Sequence, residues 1–150
     1  MGRRGYRNVI RNSSKQVKTI KETLQMQICF DSIGAEIESL TVTKIDRNLI
    51  RIEENPIFTD EVSYGDIIRV KKIKDVLFFQ EIIEKSKLIR LSWILTKEQT
   101  ESNQFGLLKE RITDVEGRWE QVFGGIFVVN IPKHFKNEIE QEMVRISKTI

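Results

Sequence analysis

The side chains that most often carry catalysis are scarce in this chain. His134 is its only histidine and Cys29 its only cysteine. A histidine acting as a general base needs a nucleophile and an orienting group beside it, and the sequence around His134 supplies neither. Its position before a predicted closing helix favours an exposed loop or capping role. Cys29 lies in the middle of a predicted strand, where nothing local indicates a lowered thiol pKa, so a packing role is favoured.

Paired carboxylates are plentiful, but their spacing is not diagnostic of catalysis. Acidic residues occur close together at 36 and 38, 53 and 54, and 60 and 61. Acid–base chemistry requires two carboxylates in different environments, and a solvated surface is the commoner origin of such pairs. One histidine and one cysteine cannot build a structural zinc site by themselves, and no phosphate-binding glycine motif is present. The sequence therefore predicts no metal and no cofactor, and it favours a non-catalytic protein over an enzyme.

Length and composition indicate a globular protein. The chain has 150 residues, of which 39% are hydrophobic and 31% charged, and this suits one domain with its own core. No apolar run approaches the roughly 20 residues of a membrane-spanning helix, and no secretory signal is evident at the N-terminus. A single cysteine cannot form an internal disulfide. We therefore expect a cytoplasmic protein that does not associate with membranes.

Charge divides the chain into a basic arm and an acidic body. Residues 1–21 hold seven basic and no acidic residues, whereas residues 22–150 hold 18 basic and 22 acidic residues. We expect a flexible arm over 1–21 and a single domain over 22–150. The arm could contact nucleic-acid phosphates, although its only aromatic residue is Tyr6 and a solubilising tail is the plainer interpretation. Its candidate contact residues are Arg3, Arg4, Arg7, Arg11 and Lys15.

Alternating apolar residues predict a strand-rich first part. Leu24, Met26, Ile28 and Phe30 alternate with polar neighbours, which is typical of a half-buried strand. Further strands are predicted at about 40–45, 49–52, 67–70, 76–83 and 88–95. Turns are predicted at 46–48, 64–66 and 74–75. The last strand is apolar on both faces, so we expect it in the middle of a sheet.

The remaining third changes to a helical period. Phe105, Leu108, Ile112 and Val115 share one helix face, Thr100 or Ser102 can cap the start, and Gly117 suits a left-handed position past the end. Two strands flank Gly124-Gly125, and a closing helix follows from about residue 135. The predicted fold class is α+β: a curved antiparallel sheet or small barrel of about six strands, followed by strand–helix–strand–helix with the helices on one face.

Three short segments resemble a known family. These are Glu38-Ser39-Leu40, Asn55-Pro56-Ile57-Phe58 and Ser63-Tyr64-Gly65-Asp66, which follow one another at the spacing of a family of small bacterial domains of unknown function. The chain departs from the family pattern by an extra Ile57 and by Lys87-Leu88 where the family has Gly-His. The resemblance implies no activity, but it suggests where to look for a binding site.

In structural terms, we expect Pro56 to impose an extended approach, Phe58 to plug one end of the core, and Gly65-Asp66 to form a tight turn. We expect Tyr64 and Asp66 to be exposed. The candidate binding residues are Asn55, Phe58, Tyr64, Asp66 and His134.

Two functions are consistent with these features. The first is a non-catalytic protein-binding module, for example a bacterial immunity protein whose acidic body neutralises a basic toxin domain. The alternative is a nucleic-acid-associated protein that uses the basic arm. Exposed edge strands would also permit a dimer.

Overall fold

The computed structural model describes residues 9–12, 22–31 and 33–148. Contacts divide the chain into two compact units. Of the described residues, the first unit contains 22–31 and 33–86, and the second contains 9–12 and 87–148. This division falls inside the region 22–150 that the sequence analysis treated as one domain. Among the described residues, no helix is long and apolar enough to cross a membrane.

The first unit is a five-stranded barrel. Consecutive strands pair antiparallel, and the last strand returns parallel to the first and closes the sheet. The strands are β2 (Thr23–Cys29), β3 (Ile37–Asp46), β4 (Leu49–Ile52), β5 (Ile67–Ile73) and β6 (Val76–Glu84). The predicted curved antiparallel sheet is confirmed, but five strands form it rather than six.

Alternation along these strands fills the barrel. One side chain in two points inward, so a single apolar cluster occupies the interior. Its buried members are Ile28, Leu40, Val42, Ile50, Ile52, Val62, Ile68, Val70 and Leu77. Each such aliphatic side chain contributes about 1.5–3 kcal/mol by leaving water.

The predicted turns of the barrel are confirmed. Residues 47–48 join β3 to β4, and Lys74 takes a positive φ of 57° in the turn between β5 and β6. The segment after β2 is organised by Asp31, whose Oδ1 accepts the N–H of Gly34 at 2.7 Å and whose Oδ2 accepts the N–H of Glu36 at 2.7 Å.

The second unit is a four-stranded sheet with helices on one face. Its strands are β1 (Val9–Arg11), β7 (Leu88–Ile94), β8 (Arg118–Val122) and β9 (Ile126–Pro132), in the order β1-β8-β9-β7. Its helices are α1 (Lys97–Thr100), α2 (Asn103–Asp114) and α3 (Lys136–Lys148), the last preceded by a 3-10 turn at Lys133–Phe135.

Helix positions follow from capping and periodicity. Thr96 and Gln99 form a reciprocal capping box at α1, and Ser102 Oγ accepts the N–H of Phe105 at the start of α2. The predicted stripe of α2 is confirmed at Phe105, Leu108 and Ile112, and the predicted closing helix is α3, which buries Ile139, Met143 and Ile146. These residues pack with alternate residues of β8 and β9 into one core: Phe105, Leu108, Ile112, Trp119, Phe127, Val129, Ile131, Ile139, Met143 and Ile146.

Three local predictions differ from the structure. β7 lies at an edge of its sheet rather than in the middle, and its Ile94 is 86% exposed. Residues 9–11, assigned by sequence to the flexible arm, form β1 against β8. Glu116, not Gly117, takes the positive φ after α2. Gly117 is required for another reason: a Cβ there would lie 3.0 Å from the carbonyl oxygen of Ile112.

Candidate functional site

Three buried carboxylates gather at one end of the barrel. Glu38 precedes Leu40 and Val42 on the inward face of β3, Glu54 follows Ile50 and Ile52 beyond β4, and Asp66 precedes Ile68 and Val70 of β5. Antiparallel neighbours bring the start of β3, the end of β4 and the start of β5 together, so all three carboxylates lie at the same end. We name this the carboxylate end, defined by Glu38, Glu54 and Asp66. Their exposed fractions are 7%, 4% and 0%.

These carboxylates hold the segment between β4 and β5, which we call loop 53–66. Glu38 accepts the backbone N–H groups of Ile57 at 2.9 Å and Phe58 at 2.8 Å. Glu54 Oε2 accepts the N–H of Thr41 at 2.6 Å. Loops of this length without regular structure are uncommon in compact proteins, and they are often functional. Here the buried Glu38 satisfies two backbone donors of the loop, and Glu54 links the start of the loop to β3.

Asp66 fastens the other end of the loop. Its Oδ2 accepts the N–H of Ser63 at 2.9 Å and the ammonium of Lys85 at 2.7 Å, while its Oδ1 accepts the N–H of Ser86 at 2.7 Å. The expectation that Asp66 is exposed is wrong. The turn before β5 needs its carboxylate as an internal acceptor, since the N–H of Ser63 is buried and would otherwise lose its partner.

The loop places most of the candidate binding residues together. Asn55 is buried and its Oδ1 accepts the N–H of Tyr64 at 3.0 Å, while Tyr64 itself is half-buried. Phe58 is 52% exposed, so the expectation that it plugs the core is wrong. Its backbone N–H is held by Glu38 at 2.8 Å, while its side chain lies largely in solvent. His134 belongs to the second unit, where it is exposed and contacts the ring of Phe135.

Each of the three carboxylates accepts at least one backbone N–H group, an arrangement that stabilises the fold around it. Within residues 9–12, 22–31 and 33–148, no three His, Cys, Asp or Glu side chains come together to hold a metal. Cys29 is buried as predicted, and burial together with a hydrogen bond to Asp31 raises the pKa of its thiol.

As far as the described residues show, the opposite end of the barrel is open and basic. A cavity of about 680 Å³ is lined there by the basic side chains Lys44, Arg47, Arg69, Lys71 and Lys72, which we call the basic mouth. Arg69 is paired with Glu81 at 3.0 Å. No local sequence signal marks this site, because its basic residues are scattered between positions 44 and 72 and converge only when the barrel closes.

The second unit has its own buried polar groups. Arg118 and Glu120 form an ion pair at 2.8 Å in which the Glu120 side chain is fully buried. Lys109 lies over the rings of Phe105 and Trp119, and burial lowers the pKa of its ammonium. Arg118 and Glu120 are thus paired with each other, and Lys109 is placed against two aromatic residues of the core.

Of the arm residues proposed for nucleic acid, Arg11 lies in β1, opposite Glu120 of β8. Asn12 follows it and donates to the carbonyl of Gly117 while accepting the N–H of Trp119. The other proposed contacts, Arg3, Arg4, Arg7 and Lys15, lie outside the described residues, as do residues 1–8 and 13–21 generally. Binding of nucleic acid through the arm therefore stays a prediction.

The chain combines a barrel, whose loop is held by buried carboxylates, with a sheet covered by helices. It matches a family of domains whose activity has not been defined. Residues 38–146 match the family described as "Domain of unknown function (DUF4265)", and the chain belongs to this family. The match confirms the resemblance suggested by the Glu-Ser-Leu, Asn-Pro and Ser-x-Gly-Asp segments. All three segments contribute to the network around loop 53–66.

One solved structure shares this fold. A hypothetical protein from Neisseria gonorrhoeae superposes with a TM-score of 0.62 over 88% of this chain and 90% of its own, at 16% sequence identity. At that identity the similarity establishes the fold alone. No curated protein matches the chain significantly.

Proposed function

We propose that this protein is a non-catalytic protein-binding module whose contact surface centres on loop 53–66. The observation that carries the proposal is the pairing of exposed apolar side chains with a buried anchor. Ile57 and Phe58 are 38% and 52% exposed, while the carboxylate that holds both of their backbone N–H groups is 7% exposed. The chain thus uses buried charge to fix a loop that presents apolar groups to solvent.

Such an arrangement suits recognition of a protein surface. Ordering a loop and its side chains on binding opposes affinity, and a loop already fixed by the fold avoids most of that free-energy cost. Aromatic side chains inserted into a partner's pocket dominate many interfaces. Phe58 is the aromatic residue that the loop offers in this way, whereas Tyr64 of the same loop is half-buried.

A bacterial immunity protein that neutralises a cognate toxin is the specific form that we propose for this module. Burial of carboxylates weakens the expected electrostatic attraction between an acidic body and a basic toxin domain. Residues 22–150 carry four more acidic than basic residues, and four acidic side chains are buried: Glu38, Glu54, Asp66 and Glu120. The exposed charges of the body therefore nearly balance. We expect an apolar contact through Phe58, with weak dependence on salt.

The test compares Phe58→Ala with Phe123→Ala. Phe123 is 59% exposed in the turn between β8 and β9, so both variants remove one exposed ring. Full-length wild type is used to capture a partner from native lysate, and the purified partner is titrated by calorimetry. We expect Phe58→Ala to weaken its binding by about tenfold or more and Phe123→Ala to leave it unchanged.

The toxin assignment has its own readout. The captured partner should arrest growth when it is expressed alone. Co-expression of the wild-type protein should restore growth, whereas co-expression of Phe58→Ala should not. Equal binding by wild type and Phe58→Ala would overturn the loop as the contact surface. A partner that is harmless by itself would overturn the immunity assignment.

A further inference from the structure

The interior of the barrel changes from acidic at one end to basic at the other. Along β3 the inward-facing residues are Glu38, Leu40, Val42 and Lys44, and along β5 the same order continues from Asp66 through Ile68, Val70 and Lys72. Along both strands, the inward-facing residues are therefore one acidic, two apolar and one basic residue, in that order. At the carboxylate end the charges are satisfied by loop 53–66. At the basic mouth nothing comparable fills the barrel among the described residues.

Cross-strand pairing establishes that Lys44 and Lys72 belong to the inward face. Lys44 lies directly opposite Ile50, and Lys72 lies directly opposite Leu77. Residues opposite each other in an antiparallel pair share one face of the sheet. Ile50 and Leu77 are 4% and 5% exposed and belong to the barrel core, so the two lysines extend that core stripe towards the opening.

The opening has the size and lining of a small-molecule site. Its cavity of about 680 Å³ has apolar walls that include Leu24, Met26, Val70 and Leu77. Ligand pockets usually measure about 300–1,000 Å³ and combine apolar walls with a few placed polar groups. Among the described residues no acidic side chain lines the cavity. Asp46 accepts the N–H of its neighbour Arg47 and lies outside the lining, as does Asp75.

We propose that the basic mouth binds a small organic anion with an aliphatic body, whose anionic group is held by Lys44 and Lys72. Two positive charges at the end of an apolar stripe match a ligand that is charged at one end and apolar along its length. A nucleic acid fits less well, because none of the described residues that line the cavity is aromatic and could stack with a base. Carboxylates and phosphates share the required chemistry, and the test distinguishes them.

Calorimetry on the full chain with four probes tests this proposal. The probes are decanoate, decyl phosphate, inorganic phosphate and decanol, each below its micelle-forming or solubility limit. We expect a decyl anion to bind at least about tenfold tighter than either inorganic phosphate or decanol, because only the decyl anions supply both the charge and the apolar body. The tighter of decanoate and decyl phosphate identifies the anionic group.

Variants locate the site. Lys44→Gln and Lys72→Gln should each weaken binding of the decyl anion by about tenfold, since each removes a charge-assisted hydrogen bond. Lys97→Gln, at the exposed start of α1 in the second unit, removes the same charge elsewhere and should have no effect. Far-UV circular dichroism confirms that each variant is folded.

The proposal would be overturned by no binding of either decyl anion, by equal binding of decanol, or by the same affinity in wild type, Lys44→Gln and Lys72→Gln. An equal loss in Lys97→Gln would assign the effect to net charge and would also overturn it. Phe58→Ala should bind the anions normally, so this test is independent of the protein-binding surface.

Discussion

Replacing Asp66 by asparagine tests whether the carboxylate end holds loop 53–66. Both oxygens of Asp66 accept hydrogen bonds, Oδ2 from Ser63 and Lys85 and Oδ1 from the N–H of Ser86. An amide has one oxygen and one NH₂ group, so in either orientation at least one donor meets another donor. The better orientation keeps the oxygen towards Ser63 and Lys85 and turns the NH₂ group towards Ser86.

The magnitude follows from the contacts that are lost. One hydrogen bond to a charged acceptor contributes about 1.5–3 kcal/mol, and leaving its partly buried donor, the N–H of Ser86, unpaired costs about 1–3 kcal/mol more. We therefore expect Asp66→Asn to lower the free energy of unfolding by about 3–5 kcal/mol. The Lys85 ion pair adds little to this difference, because the Lys85 side chain is 52% exposed.

Urea unfolding measures the effect. Trp93 and Trp119 both lie in the second unit, so their fluorescence reports on that unit, and far-UV circular dichroism is needed to follow the barrel. With a urea dependence of about 2 kcal/mol per molar, the barrel transition should move by about 2 M. Asp60→Asn, at an exposed aspartate of the same loop, should change stability by less than about 0.5 kcal/mol. A loss below about 1 kcal/mol in Asp66→Asn would refute the reasoning.

Two further predictions concern stability elsewhere in the chain. Gly117→Ala should destabilise the second unit by about 1–3 kcal/mol, because the new Cβ would lie 3.0 Å from atoms of Ile112 and Ile131. Gly106→Ala in α2 is the control, since a Cβ there meets nothing within 4 Å and should stabilise the unit by up to about 1 kcal/mol. Tryptophan fluorescence in urea measures both variants, and equal effects on stability would contradict the packing argument. Burial raises the pKa of Asp31, but hydrogen bonds from Cys29 and backbone N–H groups outweigh it and hold the pKa below its usual value. Its stabilising effect is therefore present above the unfolded pKa of about 3.9 and is lost as pH falls through the folded value. The stability difference between wild type and Asp31→Asn should shrink below about pH 4, and a difference that is constant with pH would contradict this.

Local periodicity predicted the elements well, because strands and helices here follow their own apolar pattern. The stripe of α2, the hairpin turn at residues 46–48 and the closing helix needed no information from distant residues. Closure of the barrel, in contrast, depends on pairing between residues that are far apart in the sequence. β6 returns to β2 by a parallel pairing between residues about 50 positions apart, such as Ile28 and Leu77, and no local signal encodes that register. The edge position of β7 was missed for the same reason.

The buried carboxylates were mistaken for surface residues because acidic side chains are usually exposed. A signal was nevertheless present. Glu38 continues the alternation of Leu40 and Val42, and Asp66 continues that of Ile68 and Val70, so each acidic residue stands at a position where the period of the strand requires an inward side chain. Loop 53–66 could be located from sequence, but the partners of its buried groups depend on the assembled barrel.

The short strand β1 has a consequence for how truncated forms of this protein behave. Val9–Arg11 occupies the edge of β8, so the backbone N–H and C=O groups on that side are already paired. A chain beginning at residue 22 would leave β8 with an open row of donors and acceptors, which is a template for a strand from another molecule. Self-association of such a fragment would then report on the missing strand, and the charge of the arm is better examined by neutralising Arg3 and Arg4 in the full chain.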